Sequence, residues 1–255
     1  MQLFNDDCLK VLPTIPENSV DLIITSPPYD NIREYNNSSI WNFDIFKNIA
    51  NELKKSLKDG GVIVWIVNDA TINGSETGTS FKQALYFKEI GLNLHDTMIW
   101  QKESNPFTNK NRYINIFEYM FVLSKKKPST TNLIKDRKNK YAGTKKHGNQ
   151  REKDGTLKLP SKMGKLIKEY GSRFNVWQIN SEKQNKTGHP AVFPINLVQD
   201  HIKTWSNEND IVLDCFMGSG TTGLACKNLN RDFIGIEIDK QYFDIAKQRI
   251  ESTLF

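Results

Sequence analysis

Two short stretches of this chain hold residue types from which chemistry could be built. The first is Thr25-Ser26-Pro27-Pro28-Tyr29, which closes the apolar run Val20 to Thr25. Two consecutive prolines stiffen the backbone and remove two N–H donors. The carbonyls beside them are then free to accept from an outside donor, and an amino group on a planar base is one such donor. Tyr29 offers a flat face on which a base could stack. The plain alternative is a rigid turn at the end of a strand.

The second stretch is Asp214-Cys215-Phe216-Met217-Gly218-Ser219-Gly220-Thr221-Thr222-Gly223. It follows the strand-like Ile211 to Asp214 and opens a helix. Gly218, Gly220 and Gly223 form a GxGxxG, and Glu237 stands nineteen residues after Gly218 at the end of the next apolar run. That is the setting of a nucleotide-binding turn, with an acid placed to take ribose hydroxyls. A nucleoside triphosphate is excluded, because Leu224 and Ala225 replace the Lys-Ser/Thr that a phosphate loop needs. A nicotinamide cofactor remains open, and with it an NAD-dependent oxidoreductase. S-adenosylmethionine is favoured, since Asp214 would repel a pyrophosphate but suits an amino-acid ammonium group.

Strand and helix signals alternate around both stretches. Helical spacing runs from Phe43 to Leu57 and is stopped by Asp59-Gly60-Gly61; a buried strand follows over Gly61 to Val67. A second helix covers Ser80 to Ile90, then come strands at Thr97 to Trp100 and Tyr119 to Leu123. After Pro190 the alternation resumes with a helix from Ile195 to Trp205, the strand before the glycine turn, a helix to Leu229, a strand from Phe233 to Glu237 and a last helix carrying Phe243, Ala246 and Ile250. This pattern predicts a parallel sheet covered by helices. The expected organisation is a catalytic half over 1–124, an insertion over 125–188 and a second half of the same domain over 189–255.

Charge separates the insertion from the rest. Lys125 to Lys168 holds fifteen Lys/Arg and three Asp/Glu, a net +12, whereas the whole chain carries only +6. A basic, loop-rich segment on a mildly acidic body suits a polyanion such as nucleic acid and predicts salt-dependent binding. Arg137, Asn149, Gln150 and Arg151 are types suited to base edges. No apolar run reaches membrane-spanning length and the opening residues lack signal-peptide features, so a cytoplasmic protein is expected. Cys8, Cys215 and Cys226 form no zinc pattern and are expected to be buried, inert thiols.

Together the two stretches resemble the DNA amino-methyltransferases, the N4-cytosine and N6-adenine group. Their catalytic loop is Ser/Asp/Asn-Pro-Pro-Tyr/Phe and their methyl-donor turn is Asp-x-Phe-x-Gly-x-Gly. The loop precedes the turn here, as in the permuted β-class branch, where the intervening segment is the target-recognition region. The resemblance implies an α/β fold: a Rossmann-like S-adenosylmethionine-dependent sheet, circularly permuted, with a loop-rich basic insertion. It makes Ser26, Pro27, Pro28 and Tyr29 catalytic. Asn5-Asp6-Asp7-Cys8-Leu9 resembles the opening segment near the donor's adenine, which assigns Asp7 and Cys8 to the donor. Gly188-His189-Pro190-Ala191-Val192-Phe193-Pro194 resembles the segment leading into a helix packed on the donor, which adds His189 and Pro190. Asp214, Phe216, Gly218, Ser219, Gly220, Thr221, Thr222, Glu237 and Ile238 complete the expected donor site, with no metal. Trp100-Gln101-Lys102 through Glu118-Tyr119 resembles the stretch that helps hold the extruded base. Cys215 departs from the proline of many relatives, and only the shape of the turn should feel it. By the same resemblance the substrate is double-stranded DNA, with a separately acting restriction endonuclease and a homodimer expected by analogy. Serine at position 26 leans towards cytosine N4; adenine N6 is the alternative.

Overall fold

A computed structural model describes residues 1–28, 41–103, 111–159, 163–180 and 193–252. The chain divides into two compact units, one of Met1–Asn132 with Asn175–Phe255 and one of Leu133–Phe174.

The first unit is built on an eight-stranded sheet. Its strands are β1 (Gln2–Phe4), β2 (Val20–Thr25), β3 (Leu57–Val67), β4 (Asn93–Gln101), β5 (Phe117–Ser124), β6 (Val176–Gln178), β7 (Ile211–Asp214) and β8 (Asp232–Ile236), in the spatial order β1-β8-β7-β2-β3-β5-β4-β6. All neighbours are parallel except those of β5, which runs antiparallel to both β3 and β4. The sheet is therefore mixed rather than wholly parallel. β5 follows β4 in the chain and runs back alongside it, paired from Asn93 with Ser124 to Gln101 with Phe117.

Successive residues of β3 point to opposite faces, and each face has its own core. Ile63, Trp65 and Val67 join Phe46, Ile49, Ala50 and Leu53 of α2 (Phe43–Ser56) and Ala84 and Phe87 of α3 (Thr79–Glu89). Val62, Val64 and Ile66 join Leu197, Val198 and Ile202 of α4 (Ile195–Trp205), Ala225 and Cys226 of α5 (Thr221–Asn228) and Ala246 and Ile250 of α6 (Lys240–Ser252). A strand buried on both sides reads as a continuous apolar run, as Val62 to Val67 does. A one-turn helix, α1 (Cys8–Val11), precedes β2. α2 starts where Asn42 accepts hydrogen bonds from the N–H groups of Asp44 and Ile45, a side-chain cap worth about 1 kcal/mol. It ends at Ser56, one residue short of the expected Leu57, because Leu57 is already extended and begins β3. Among the described residues no helix is long and apolar enough to cross a membrane.

The second unit has no residue classed as buried among those described. Its order comes from backbone ladders: Arg137–Lys138 with Tyr170–Gly171, an isolated bridge of Lys145 to Leu166, and Gln150–Arg151 with Leu157–Lys158. The chain thus runs out and back as an antiparallel path. Arg137 lies over the Phe174 ring and donates to the Ser172 carbonyl, and Arg173 pairs with Asp136.

Candidate active site

Four parallel strands bring the expected site residues to one edge. β1, β8, β7 and β2 are consecutive in the sheet and end at Phe4, Ile236, Asp214 and Thr25. The segments that leave them therefore lie side by side: Asn5-Asp6-Asp7, Glu237-Ile238, the glycine turn, and Ser26-Pro27-Pro28. Loops outside the carboxyl ends of such strands are where open α/β sheets place ligands.

The glycine turn is held at each end. Gly218 and Gly220 have φ of 53° and 81°, a left-handed backbone that other residues rarely adopt. The Met217 N–H donates to the Ile236 carbonyl, which seats the turn on the tip of β8. Glu237 accepts from Gly218 N–H at 2.8 Å with one carboxylate oxygen and from Asp239 N–H at 2.9 Å with the other. Burial raises its pKa, against the pull of those two donors. Ser219 is buried, and Arg249 of α6 donates to both its carbonyl and its hydroxyl.

From the sequence, Asp214 is expected to face a ligand ammonium. The structure turns its carboxylate onto the chain: it is only 2% exposed and accepts from Thr25 Oγ1 at 2.7 Å, Thr222 Oγ1 at 2.6 Å and Phe216 N–H at 3.1 Å. A carboxylate this buried needs donors from the fold. Burial still prevails over the three hydrogen bonds and lifts its pKa to about 6.

The remaining residues lie along the same edge. Asp7 caps the N-terminus of the Cys8–Val11 turn through Leu9 N–H. Cys8 is buried and its thiol is pushed up to about 12 by burial, and Cys215 and Cys226 are likewise buried and raised. Asn5 Nδ2 donates to the carbonyls of Glu237 and of the exposed Ile238. Phe216 meets the Trp41 ring edge-on at 5.6 Å, and Thr221 is buried in the first turn of α5. Ser26 and Pro28 are half-buried and Pro27 is buried. Tyr29, His189 and Pro190 lie outside the described residues. At the end of β4, Lys102 forms a 2.5 Å ion pair with the buried Glu118 of β5 and lies over the Trp100 ring. Sequence reasoning includes Thr25 in the loop stretch without giving it a role, and misses Trp41 and Arg249. Only the aromatic type of Trp41 is a signal, since Thr25 and Arg249 act through partners distant in the chain.

The sequence model of the N6/N4 group, described as DNA methylase, matches residues 20–248. The chain belongs to the DNA amino-methyltransferase family. The orphan methyltransferase M.BamHII of Bacillus amyloliquefaciens is 52% identical over 248 residues, spanning 94% of this chain and 92% of the relative. The type II methyltransferase M.BglII of Bacillus subtilis is 31% identical over 263 residues, spanning 97% and 68%. The structure of M1.HpyAVI with S-adenosylmethionine is 29% identical, covers 98% of each chain and superposes with a TM-score of 0.66. The cytosine-N4-specific PvuII DNA methyltransferase, at 24% identity, TM-score 0.71 and coverage of 97% and 85%, supports the fold alone.

S-adenosylmethionine is the methyl donor of this methyltransferase family, and the nicotinamide alternative falls away. The residues present fit an adenosyl ligand. Glu237 touches the backbone of the glycine turn, and each of its oxygens keeps lone-pair capacity beyond its one backbone donor.

The raised pKa of Asp214 predicts a pH dependence of stability. The folded protein holds this proton more tightly than the unfolded chain, whose value is 3.8. The contribution is therefore fully present below about pH 4 and lost as pH rises through about 6. A pKa raised this far corresponds to about 3 kcal/mol. Asp214→Asn removes this titration. Urea unfolding should show its stability rising relative to the unmodified protein between pH 4 and 7 by up to about that amount, and a flat difference would contradict the assignment.

Proposed function

We propose that this methyltransferase modifies cytosine at N4 in double-stranded DNA, site-specifically and in a restriction-modification setting. The observation that carries the choice of base is Ser26, the residue ahead of Pro27-Pro28 at the tip of β2. The setting is supported by relatives named as type II methyltransferases.

In this reading Ser26 Oγ and the Pro27 carbonyl accept the two hydrogens of the exocyclic amine. The amine lone pair is otherwise delocalised into the ring, and these acceptors draw the nitrogen towards a tetrahedral shape that frees it. Tyr29 stacks on the base, which must leave the duplex to reach the sheet edge. S-adenosylmethionine, when bound, supplies an electrophilic methyl on a sulfonium sulfur. Glu237 would hold its ribose hydroxyls, and Phe216 and Gly218 to Thr222 would cradle it. Asp7, Cys8 and Ile238 would border its adenine, and His189 and Pro190 would lead into α4 beside it. Ser26 and Pro27 hold the departing amino proton until water takes it. Orientation supplies much of the rate, and no covalent enzyme intermediate is required.

The lysine-rich second unit would bind the phosphate backbone, and base contacts would come from residues such as Asn149, Gln150 and Arg151. Arg137 is held against Phe174 and Ser172 within the unit.

The deciding experiment incubates the protein with S-adenosylmethionine and genomic DNA lacking both modifications, digests the product to nucleosides and weighs them. N4-methylcytosine is the expected product. N6-methyladenine in its place would overturn the choice of base and leave the family assignment intact.

A further inference from the structure

The hydrogen-bonded ladder between β2 and β7 pairs Leu22 with Val212 and Ile23 with Leu213. The link between the two strands continues past that point through side chains. Thr25, fully buried, donates its hydroxyl to one oxygen of Asp214 at 2.7 Å, and Thr222, in the first turn of α5, donates to the other at 2.6 Å. Thr25 stands directly before Ser26-Pro27-Pro28, whose prolines have no N–H to tie the loop to a neighbour. Thr222 lies within the GxGxxG stretch, two residues after Gly220.

We infer that Thr25 and Thr222 are positioning residues which, through the single carboxylate of Asp214, set the register between the base-side loop and the donor turn. Both hydroxyls donate to the carboxylate, so Thr222 would border the donor through its backbone and Thr25 need not touch the base. The reacting atoms must be held about 3–3.5 Å apart and in line, and a displacement of about 1 Å can cost about a hundredfold in rate. A loop stiffened by two prolines transmits the position of its root, so an error at Thr25 reaches Ser26 undamped. The burial of the carboxylate makes the tie strict: without Thr222 one oxygen has no donor, and without Thr25 the other keeps only the Phe216 N–H at 3.1 Å, in a place that water does not reach. The inference holds for either target base.

The two ends of the tie have different signatures. Thr25→Val removes the loop-side donor at nearly constant volume. It should lower kcat by about 10- to 100-fold, while the Kd for S-adenosylmethionine, measured by calorimetry without DNA, stays within about threefold. Thr25→Ser restores the hydroxyl and should bring kcat back to within about threefold of the unmodified protein. Thr222→Val should raise the donor Kd by about tenfold, the loss of one charge-assisted hydrogen bond, with a smaller change in kcat at saturating donor. Where the valine variant does not fold, Thr25→Ala carries the same expectation. Unchanged kcat in Thr25→Val or Thr25→Ala overturns the inference. So does a donor Kd raised as much as in Thr222→Val, or a serine variant as slow as the valine one.

Discussion

Tyr29→Ala should cut turnover by about 10- to 100-fold while leaving donor affinity nearly unchanged. A base stacked on an aromatic ring gains about 1–3 kcal/mol, and all of that is lost with the ring. The base is also the component that must be held outside the duplex, so the loss falls on the step that presents it. The donor turn belongs to a different strand and helix, held by Glu237, Asp214 and Arg249. Tyr29→Phe keeps the flat face and should retain most of the rate. Single-turnover kinetics together with donor titration separate the two effects. Loss of donor binding in Tyr29→Ala would show that the loop serves the donor rather than the base.

Gly220→Ala should abolish donor binding and destabilise the fold by about 2–4 kcal/mol. Gly220 has φ of +81°, and a Cβ placed there would lie 2.8 Å from Ala246 Cβ and 2.9 Å from Ala246 Cα on α6. The second contact is with backbone, which cannot swing aside as a long side chain would. The turn would have to lift from α6, taking the Gly218 N–H away from Glu237 and Ser219 away from Arg249. Gly74→Ala is the control: φ there is +79°, but nothing lies within 4 Å of the added carbon. It should cost only the backbone strain, about 1 kcal/mol, and leave donor binding intact. Urea unfolding and donor titration of both variants measure the difference, and equal costs would refute the close packing of the turn on α6.

The two motifs are legible in the chain itself because their constraints are local. Consecutive prolines restrict their own backbone, and glycines at 218 and 220 announce a left-handed turn wherever it sits. Apolar spacing marks α2, α4 and the inner strands because burial on one or both faces repeats with the period of the element itself. β1 and β6, at three residues each, are too short to show a period. β6 also lies in the stretch expected to be insertion, yet it pairs with β4 through Val176 to Ile99, Trp177 to Trp100 and Gln178 to Gln101. The second unit shows the converse, since backbone ladders join its lysine-rich segments without the apolar alternation that marks strands.

The sequence alone was enough for the two motifs, the family they mark and the alternation that makes an α/β sheet. It could not place Thr25 against Asp214, which lie 189 residues apart and meet at 2.7 Å. Strand order decides that contact, and strand order follows from how all the apolar faces pack together at once. The same holds for the reversed direction of β5, for Arg249 reaching back to Ser219, and for the Asp214 carboxylate that joins Thr25 to Thr222. A residue's own type and spacing carry its local geometry. Which distant donor satisfies a buried acceptor is settled only when the sheet closes and water is excluded.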